Sequence, residues 1–256
     1  MKGSVHWLHG FLGQARDGDV LFQGLTPDFV VHQADLFSPH TSLSQYGDPL
    51  TSLRAAGQWV NAQARDLVGP QFLVGYSWGG RVALHAVLES PHLWAGAVIL
   101  GGHPGLRDAR EKEERLESDR LWAQRFLHED WETVLRSWNE QPIFRQPQSV
   151  GELRVDPPRW EADYSRKKLA QVLVGCSLGV QQDLRPRLSE LTVPILWISG
   201  ECDVKFSAIQ EEMLSLNPRF QGRSVAGVGH RVLNSSLSDG VDGLRAILDD
   251  FLRSKS

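Results

Sequence analysis

Cysteine is nearly absent from this chain: Cys176 and Cys202 are the two among 256 residues. Two cysteines cannot build a disulfide framework, and these two lack metal-ligand spacing. No run of eighteen apolar residues occurs, so no membrane span is expected. The opening residues, Met1-Lys2-Gly3-Ser4-Val5-His6-Trp7, hold no long apolar stretch of the signal-peptide kind and run into a strand-like segment. An excess of positive charge is missing too. Lys and Arg number 27 against 31 Asp and Glu, a net charge of -4. Neither nucleic acid nor an anionic membrane is therefore expected as a partner. Internal repeats and low-complexity tracts are also lacking. What remains is an ordinary globular composition, 41% hydrophobic and 23% charged, which fits a cytoplasmic enzyme or binding protein. The length suits one large domain with room for an inserted subdomain.

The chain is organised around Val74-Gly75-Tyr76-Ser77-Trp78-Gly79-Gly80-Arg81, a G-x-S-x-G stretch. An apolar run precedes it and an amphipathic segment follows. A strand, a sharp turn and a helix would put Ser77 at the tip of the turn, with small residues at 75 and 79 so that the backbone can reverse. Ser77 would then face solvent at a helix N-terminus, where free N–H groups favour negative charge.

Around that elbow, residues 4–8, 29–34, 71–75, 97–100, 193–199 and 221–226 read as strands. Residues 50–66, 78–90, 207–216 and 239–253 carry helical spacing. Strands alternating with helices imply a mostly parallel, doubly wound sheet covered on both faces. From about 105 to 185 the strand pattern disappears. Residues 108–129 are rich in Arg and Glu, with Leu116, Leu121, Trp122 and Phe126 as an apolar stripe. Residues 130–139 and 160–176 continue the helical pattern, and Pro142, Pro147, Pro157 and Pro158 punctuate it. The expected organisation is a core of residues 1–103 and 186–256 with a helical cap at 104–185.

In an open parallel sheet, sites form at the carboxyl ends of the strands. His9-Gly10-Phe11, Ser77, Asp203 and His230 all fall at such ends. Ser, Asp and His come in the order of an α/β-hydrolase. His230 would take the Ser77 proton, and Asp203 would hold the imidazole in the needed tautomer. Backbone N–H groups of Phe11 and Trp78 would form the oxyanion site. Asp203 as a plain helix cap and His230 as a loop histidine are the duller alternatives.

At this point the sequence resembles a known family. Gly-Tyr-Ser-Trp-Gly-Gly-Arg-Val-Ala (75–83), Gly-Gly-His-Pro-Gly-Leu (101–106), Ser-Asp-Arg-Leu-Trp-Ala-Gln-Arg-Phe (118–126), Trp-Asn-Glu-Gln-Pro-Ile-Phe (138–144) and Gly-Glu-Cys-Asp-Val-Lys-Phe (200–206) resemble the 2-succinyl-6-hydroxy-2,4-cyclohexadiene-1-carboxylate synthases of menaquinone biosynthesis. The resemblance implies an α/β-hydrolase fold. It also implies a carbon–oxygen lyase that removes pyruvate from a cyclohexene tricarboxylate by 2,5-elimination, without metal or organic cofactor. It assigns Tyr76, Arg81, Arg120 and Trp138 to the substrate pocket, arginine forks suiting carboxylates. For a further cap arginine both Arg159 and Arg166 lie near the family position, and Arg159 is favoured. The stretch Asp35-Leu36-Phe37-Ser38-Pro39-His40-Thr41-Ser42 lacks the family's Pro-Gly-His-Gly. Because the family's reaction transfers no acyl group, Ser77 would act as a base, with Phe11 and Trp78 holding charge on the carboxylate beside the reacting carbon. A serine esterase or thioesterase with the same triad is the alternative, and a non-catalytic binding protein of this fold is a third. The expected molecule is a cytoplasmic monomer or small homo-oligomer acting on a small tricarboxylate.

Overall fold

A computed structural model of the protein describes residues 3–23, 28–41, 48–144, 159–234 and 238–255. Six strands form its sheet: β1 (Gly3–Leu8), β2 (Phe29–Gln33), β3 (Gln71–Tyr76), β4 (Gly96–Leu100), β5 (Ile195–Gly200) and β6 (Phe220–Val225). Their order is β2-β1-β3-β4-β5-β6, and every neighbouring pair is parallel. β1, β4 and β5 are buried along their whole length. A strand covered on both faces reads as an unbroken apolar run, which is why Gly-Ala-Val-Ile-Leu of β4 carries no alternation. Successive side chains leave opposite faces, so Phe72 and Val74 enter one core while Leu73 enters the other.

One face carries α2 (Leu53–Ala64), α3 (Trp78–Glu89) and α8 (Val204–Leu216); the other carries α1 (Asp19–Phe22) and α9 (Ser238–Ser254). β1 and β3 are adjacent but separated in sequence by β2. The strand order therefore reverses between them, and the loops after β1 and β3 open at the switch point where α/β sheets bind ligands.

Between β4 and β5 lie α4 (Ala109–His128), α5 (Trp131–Asn139), α6 (Arg166–Gly175) and α7 (Arg185–Ser189), with no strand among the described residues. Side chains cap three of these helices: Asp108 accepts from Glu111 N–H, Asp130 from Thr133 N–H and Ser165 from Lys168 N–H. Such caps satisfy amides that have no intrahelical acceptor. Pro147, Pro157 and Pro158 lie outside the described residues. Leu121, expected in the apolar stripe of α4, is instead 59% exposed. The stripe follows Leu116, Ala123 and Phe126, and Leu121 falls on the opposite side with Glu117 and Gln124.

Two further differences have local causes. The helix expected at 207–216 starts at Val204, because the Asp203 side chain accepts from Phe206 N–H and caps it early. The short helices α1 and α7 span only four and five residues, too few for a periodic signal. Among the described residues no helix is long and apolar enough to cross a membrane.

Where α2 crosses α3, Gly57 lies against backbone. A Cβ there would sit 2.8 Å from Ala86 N and 3.0 Å from the His85 carbonyl carbon. In an open helix Gly→Ala stabilises by about 1 kcal/mol. Here the crowding reverses the sign, and Gly57→Ala should destabilise by about 1–3 kcal/mol. Urea unfolding of the two proteins measures this, and a stabilised variant would show that the helices separate freely.

Candidate active site

Ser77 joins β3 to α3 with φ of 53°, a left-handed conformation costly for a residue with a Cβ. Its N–H donates to the Leu100 carbonyl at 2.7 Å, tying the elbow to the end of β4. Gly79, on the first turn of α3, lies so near β1 that a Cβ would be 2.0 Å from the Leu8 carbonyl oxygen. Glycine lets the helix start tight against the sheet, and Ser77 is held above it.

His230 follows β6, and its Nε2 lies 3.1 Å from Ser77 Oγ. Its Nδ1 lies 2.9 Å from Asp203 Oδ2. Nδ1–H donating to Asp203 leaves Nε2 free to accept the serine proton, the tautomer that base catalysis requires. Asp203 performs two tasks with two oxygens: Oδ2 meets His230, while Oδ1 accepts from Phe206 N–H and caps α8. The cap and the triad member, posed as alternatives from sequence, are the same residue. Phe206 packs on the His230 ring at 4.4 Å between centroids, and the Tyr76 hydroxyl donates to the His230 carbonyl at 3.2 Å.

The loop after β1 is fixed by His9, which is fully buried. Leu36 N–H donates to its Nε2 at 3.1 Å, so the ring proton is on Nδ1, which donates to the Gly10 carbonyl at 2.8 Å. Burial pushes the His9 pKa below its ordinary value and keeps this neutral tautomer. Gly13 N–H donates to the same carbonyl at 2.9 Å. A peptide unit is planar and trans, so fixing the Gly10 carbonyl aims the Phe11 N–H the opposite way. Trp78 N–H is the first amide of α3 and has no intrahelical acceptor. The Asp35–Thr41 stretch, without Pro-Gly-His-Gly, supplies the Leu36 amide and lays the Phe37 ring against His9, Phe11 and Trp78.

Above the loop the Phe11 ring meets Trp138 at 4.8 Å and Phe126 at 5.5 Å, and Trp138 is buried against Trp122 and Phe144. This aromatic layer joins α4 and α5 to the core.

The arginines divide. Arg81 is buried, with Nε donating to Gln181 Oε1 at 2.7 Å and Nη2 to the Cys176 carbonyl. Burial, then the charge of Arg115, lowers its pKa to about 10, so it stays charged at neutral pH. Arg115 is on the inward side of α4, and its Nε donates to both oxygens of buried Asp119 at 2.9 Å. Lys205 shares this field. Its pKa is lowered by desolvation and then by Arg115, and after burial it is the leading cause that lowers His103.

Arg120 does not join this group. Its side chain is 57% exposed and lies 3.6 Å from Glu117 one turn back, on the outer side of α4 with Glu113, Leu121 and Gln124. The expectation for Arg120 is corrected by helix phase: Arg115, five residues earlier and 38% exposed, is the one that reaches buried Asp119. Sequence reading missed Arg115, although its spacing of four from Asp119 and its place beside Leu116 carried the phase. Arg159 reaches the loop after β1, where it pairs with Asp17 at 2.9 Å and donates to Gln14 at 3.3 Å. Arg166 donates to the carbonyls of Phe126 and Glu129, both at 2.8 Å, and so ties off the C-terminus of α4.

Comparison with known proteins agrees with this geometry. A family model described as serine aminopeptidase, S33, matches residues 40–234. The 2-succinyl-6-hydroxy-2,4-cyclohexadiene-1-carboxylate synthase of Salmonella paratyphi A is 32% identical over 253 residues, covering 96% of this chain and 93% of the relative. The protein of that name from Escherichia coli O1:K1 is 41% identical over 142 residues, 56% of each chain. Among solved structures, MenH from S. aureus superposes with a TM-score of 0.83 at 23% identity, covering 100% of this chain and 95% of that one. A thermophilic esterase from Thermogutta terrifontis gives 0.78 at 20%, covering 98% and 90%. These two likenesses concern the fold.

Buried histidines make stability depend on acid. Burial lowers His103 to about 3 and His6 and His85 to about 4. Below about pH 6.5 the unfolded chain gains protons on these rings that the folded chain refuses. Stability contributed by the neutral rings is thus complete above pH 6.5 and is lost as pH falls towards 4, by up to about 1.4 kcal/mol per pH unit for each. His103→Asn keeps an acceptor for the Gly105 amide that His103 Nδ1 now takes at 3.0 Å. Urea unfolding across pH 4–7 should show a shallower slope in this variant; an unchanged slope would mean that His103 titrates alike in both states.

Proposed function

We propose that this chain, which belongs to the α/β-hydrolase fold superfamily and within it to the 2-succinyl-6-hydroxy-2,4-cyclohexadiene-1-carboxylate synthase family, eliminates pyruvate from 2-succinyl-5-enolpyruvyl-6-hydroxy-3-cyclohexene-1-carboxylate. The chemistry follows from substrate and product. A proton leaves the ring carbon that bears the succinyl group. The ring double bond shifts, and the carbon–oxygen bond to the enolpyruvyl group breaks. One C–H and one C–O bond are lost, one ring double bond is gained, and the enol released becomes pyruvate. No acyl group moves, so a nucleophilic serine has nothing to attack.

Ser77 therefore serves as the base. His230, oriented by Asp203, takes the Ser77 proton as the serine oxygen takes the substrate proton. Removing a proton beside a carbonyl puts negative charge on that carbonyl oxygen. The N–H groups of Phe11 and Trp78 are the donors suited to hold it. The charge is thus assigned to the succinyl ketone rather than to the neighbouring carboxylate.

The observation that carries the lyase reading over an esterase is the cationic group beside the triad. Arg81 is buried and charged with Arg115 in its field, and Arg115 in turn lies in the field of Lys205. An esterase pocket is mostly apolar, whereas this substrate has three carboxylates. Arg81 and Arg115 are assigned as anchors, and Arg115 takes the place expected of Arg120. Tyr76 orients the His230 loop, and Trp138 with its aromatic neighbours walls the pocket. Arg159 remains the candidate for the third arginine contact through its place at the loop after β1. The helices within residues 104–185 are assigned as the cap. The reaction is placed in the cytoplasm, on a monomer or small homo-oligomer.

Pyruvate release from that substrate, followed by a coupled lactate dehydrogenase assay, tests the reading. The parent should release pyruvate, and Ser77→Ala should lower the rate by roughly 10³-fold or more while still binding substrate. Arg115→Ala should weaken binding by about 1.5–3 kcal/mol, the worth of a charge-assisted hydrogen bond. Arg120→Ala should leave it unchanged. A parent without pyruvate release, or an Arg120→Ala as damaged as Arg115→Ala, would contradict these assignments.

A further inference from the structure

Leu12 is, with Ser77, one of two non-glycine residues at positive φ among those described, at 58°. It follows Phe11 directly. Gly13 N–H donates to the Gly10 carbonyl at 2.9 Å, so residues 10–13 form a hydrogen-bonded turn with Phe11 and Leu12 at its centre. Phe11 has ordinary negative φ and Leu12 positive φ, the pattern of a type II turn, whose third position favours glycine or asparagine. A leucine there relaxes unless its surroundings hold it.

The Leu12 side chain is buried in the core, and its carbonyl is held by a hydrogen bond from a distant segment. The Tyr164 hydroxyl donates to the Leu12 carbonyl at 2.9 Å. Tyr164 comes from the segment before α6, 152 residues away in sequence. It is 5% exposed, and its ring packs on Trp131 at 5.4 Å. Burial raises its pKa, so the hydroxyl keeps its proton and donates. The next residue, Ser165, donates its N–H to the Phe37 carbonyl at 2.8 Å. On the near side, Gln14 Nε2 donates to Asp163 at 3.0 Å. The segment therefore holds the loop after β1 at Leu12 and Gln14 and the loop after β2 at Phe37, and the Tyr164 hydroxyl is the hydrogen bond to the strained residue itself.

We infer that Tyr164 is a positioning residue for the oxyanion site: its hydroxyl holds Leu12 left-handed, which closes the turn onto the Gly10 carbonyl and so aims the Phe11 N–H. This rests on the reading of Phe11 as an oxyanion donor. Without the hydroxyl, Leu12 moves towards negative φ and Gly13 N–H leaves the Gly10 carbonyl; His9 Nδ1 alone then holds that carbonyl, and the Phe11 amide is aimed less firmly at the developing charge. Ground-state contacts elsewhere in the pocket stay as they are. The loss therefore falls on turnover rather than on substrate binding.

Tyr164→Phe keeps the ring on Trp131 and removes only the hydroxyl. Two readouts follow it: kcat and KM for pyruvate release, and the rate at which a fluorophosphonate labels Ser77, read by mass spectrometry. The second reaction also builds negative charge on an oxygen in the oxyanion site, but it does not depend on the lyase reading. Both kcat and labelling rate should fall about tenfold, short of the roughly 10²–10³ lost with an oxyanion donor itself. KM and Tm should change little. In a Leu12→Gly background the turn needs no clamp, because glycine takes this conformation freely. There the same Tyr164→Phe change should cost less than half as much on a logarithmic scale. An unchanged kcat and labelling rate in Tyr164→Phe would overturn the proposal, and so would an equal loss in both backgrounds. A parent that labels normally but releases no pyruvate would sink the lyase reading alone, with labelling still deciding the role of Tyr164.

Discussion

The left-handed Ser77 is the constraint on which the rest depends. A serine at φ of 53° persists only where the chain on both sides is fixed. Here β3 fixes one side within a parallel sheet, and α3 fixes the other by starting against Leu8 through Gly79. That arrangement puts Oγ within reach of His230 and leaves the first amides of α3 without intrahelical acceptors. In the proposed site the second donor, Phe11 N–H, comes from the loop after β1, the neighbour of β3 across the switch point. The loop after β1 carries the other left-handed residue, Leu12. Two residues at positive φ thus follow two adjacent strands.

The same framework serves hydrolysis or elimination, depending on what surrounds it. In the triad nothing distinguishes a nucleophile from a base. The distinction lies in the charges around it. Arg81 is buried one turn beyond Ser77, and α4 brings Arg115 towards it, held by Asp119. Burial first, and neighbouring positive charge second, depress the pKa values of Arg81, Lys205 and His103. Such a concentration of like charge is costly alone and suits an anion with several carboxylates. Holding those carboxylates would fix the reacting carbon near Ser77, which supplies much of the advantage of a bound over a free reactant.

The core was legible in sequence because strands buried on both faces are mostly apolar; β4 and most of β5 read as unbroken apolar runs. The triad was legible because its members end strands in a fixed order. The inserted helices were legible as helices, but less so in their phase. Arg120 and Leu121 sit in a motif that resembles the family, yet both lie on the outer side of α4. Arg115 lies outside that motif, and only its spacing of four from Asp119 and its place beside Leu116 mark its phase. Both Arg159 and Arg166 lay near the family position in sequence, with Arg159 favoured; in the structure Arg159 reaches Asp17 and Arg166 the end of α4. Tyr164 gave no signal, since a hydrogen bond to a backbone carbonyl 152 residues away leaves no local pattern.

What separates elimination from acyl transfer most directly is the state of Ser77 while the enzyme works. Intact-protein mass spectrometry of the parent, quenched during turnover of 2-succinyl-5-enolpyruvyl-6-hydroxy-3-cyclohexene-1-carboxylate, reads that state. A serine acting as base predicts the unmodified mass at every time point while pyruvate accumulates. A substrate-derived adduct on Ser77 that forms and decays at the catalytic rate would contradict it and restore the nucleophile.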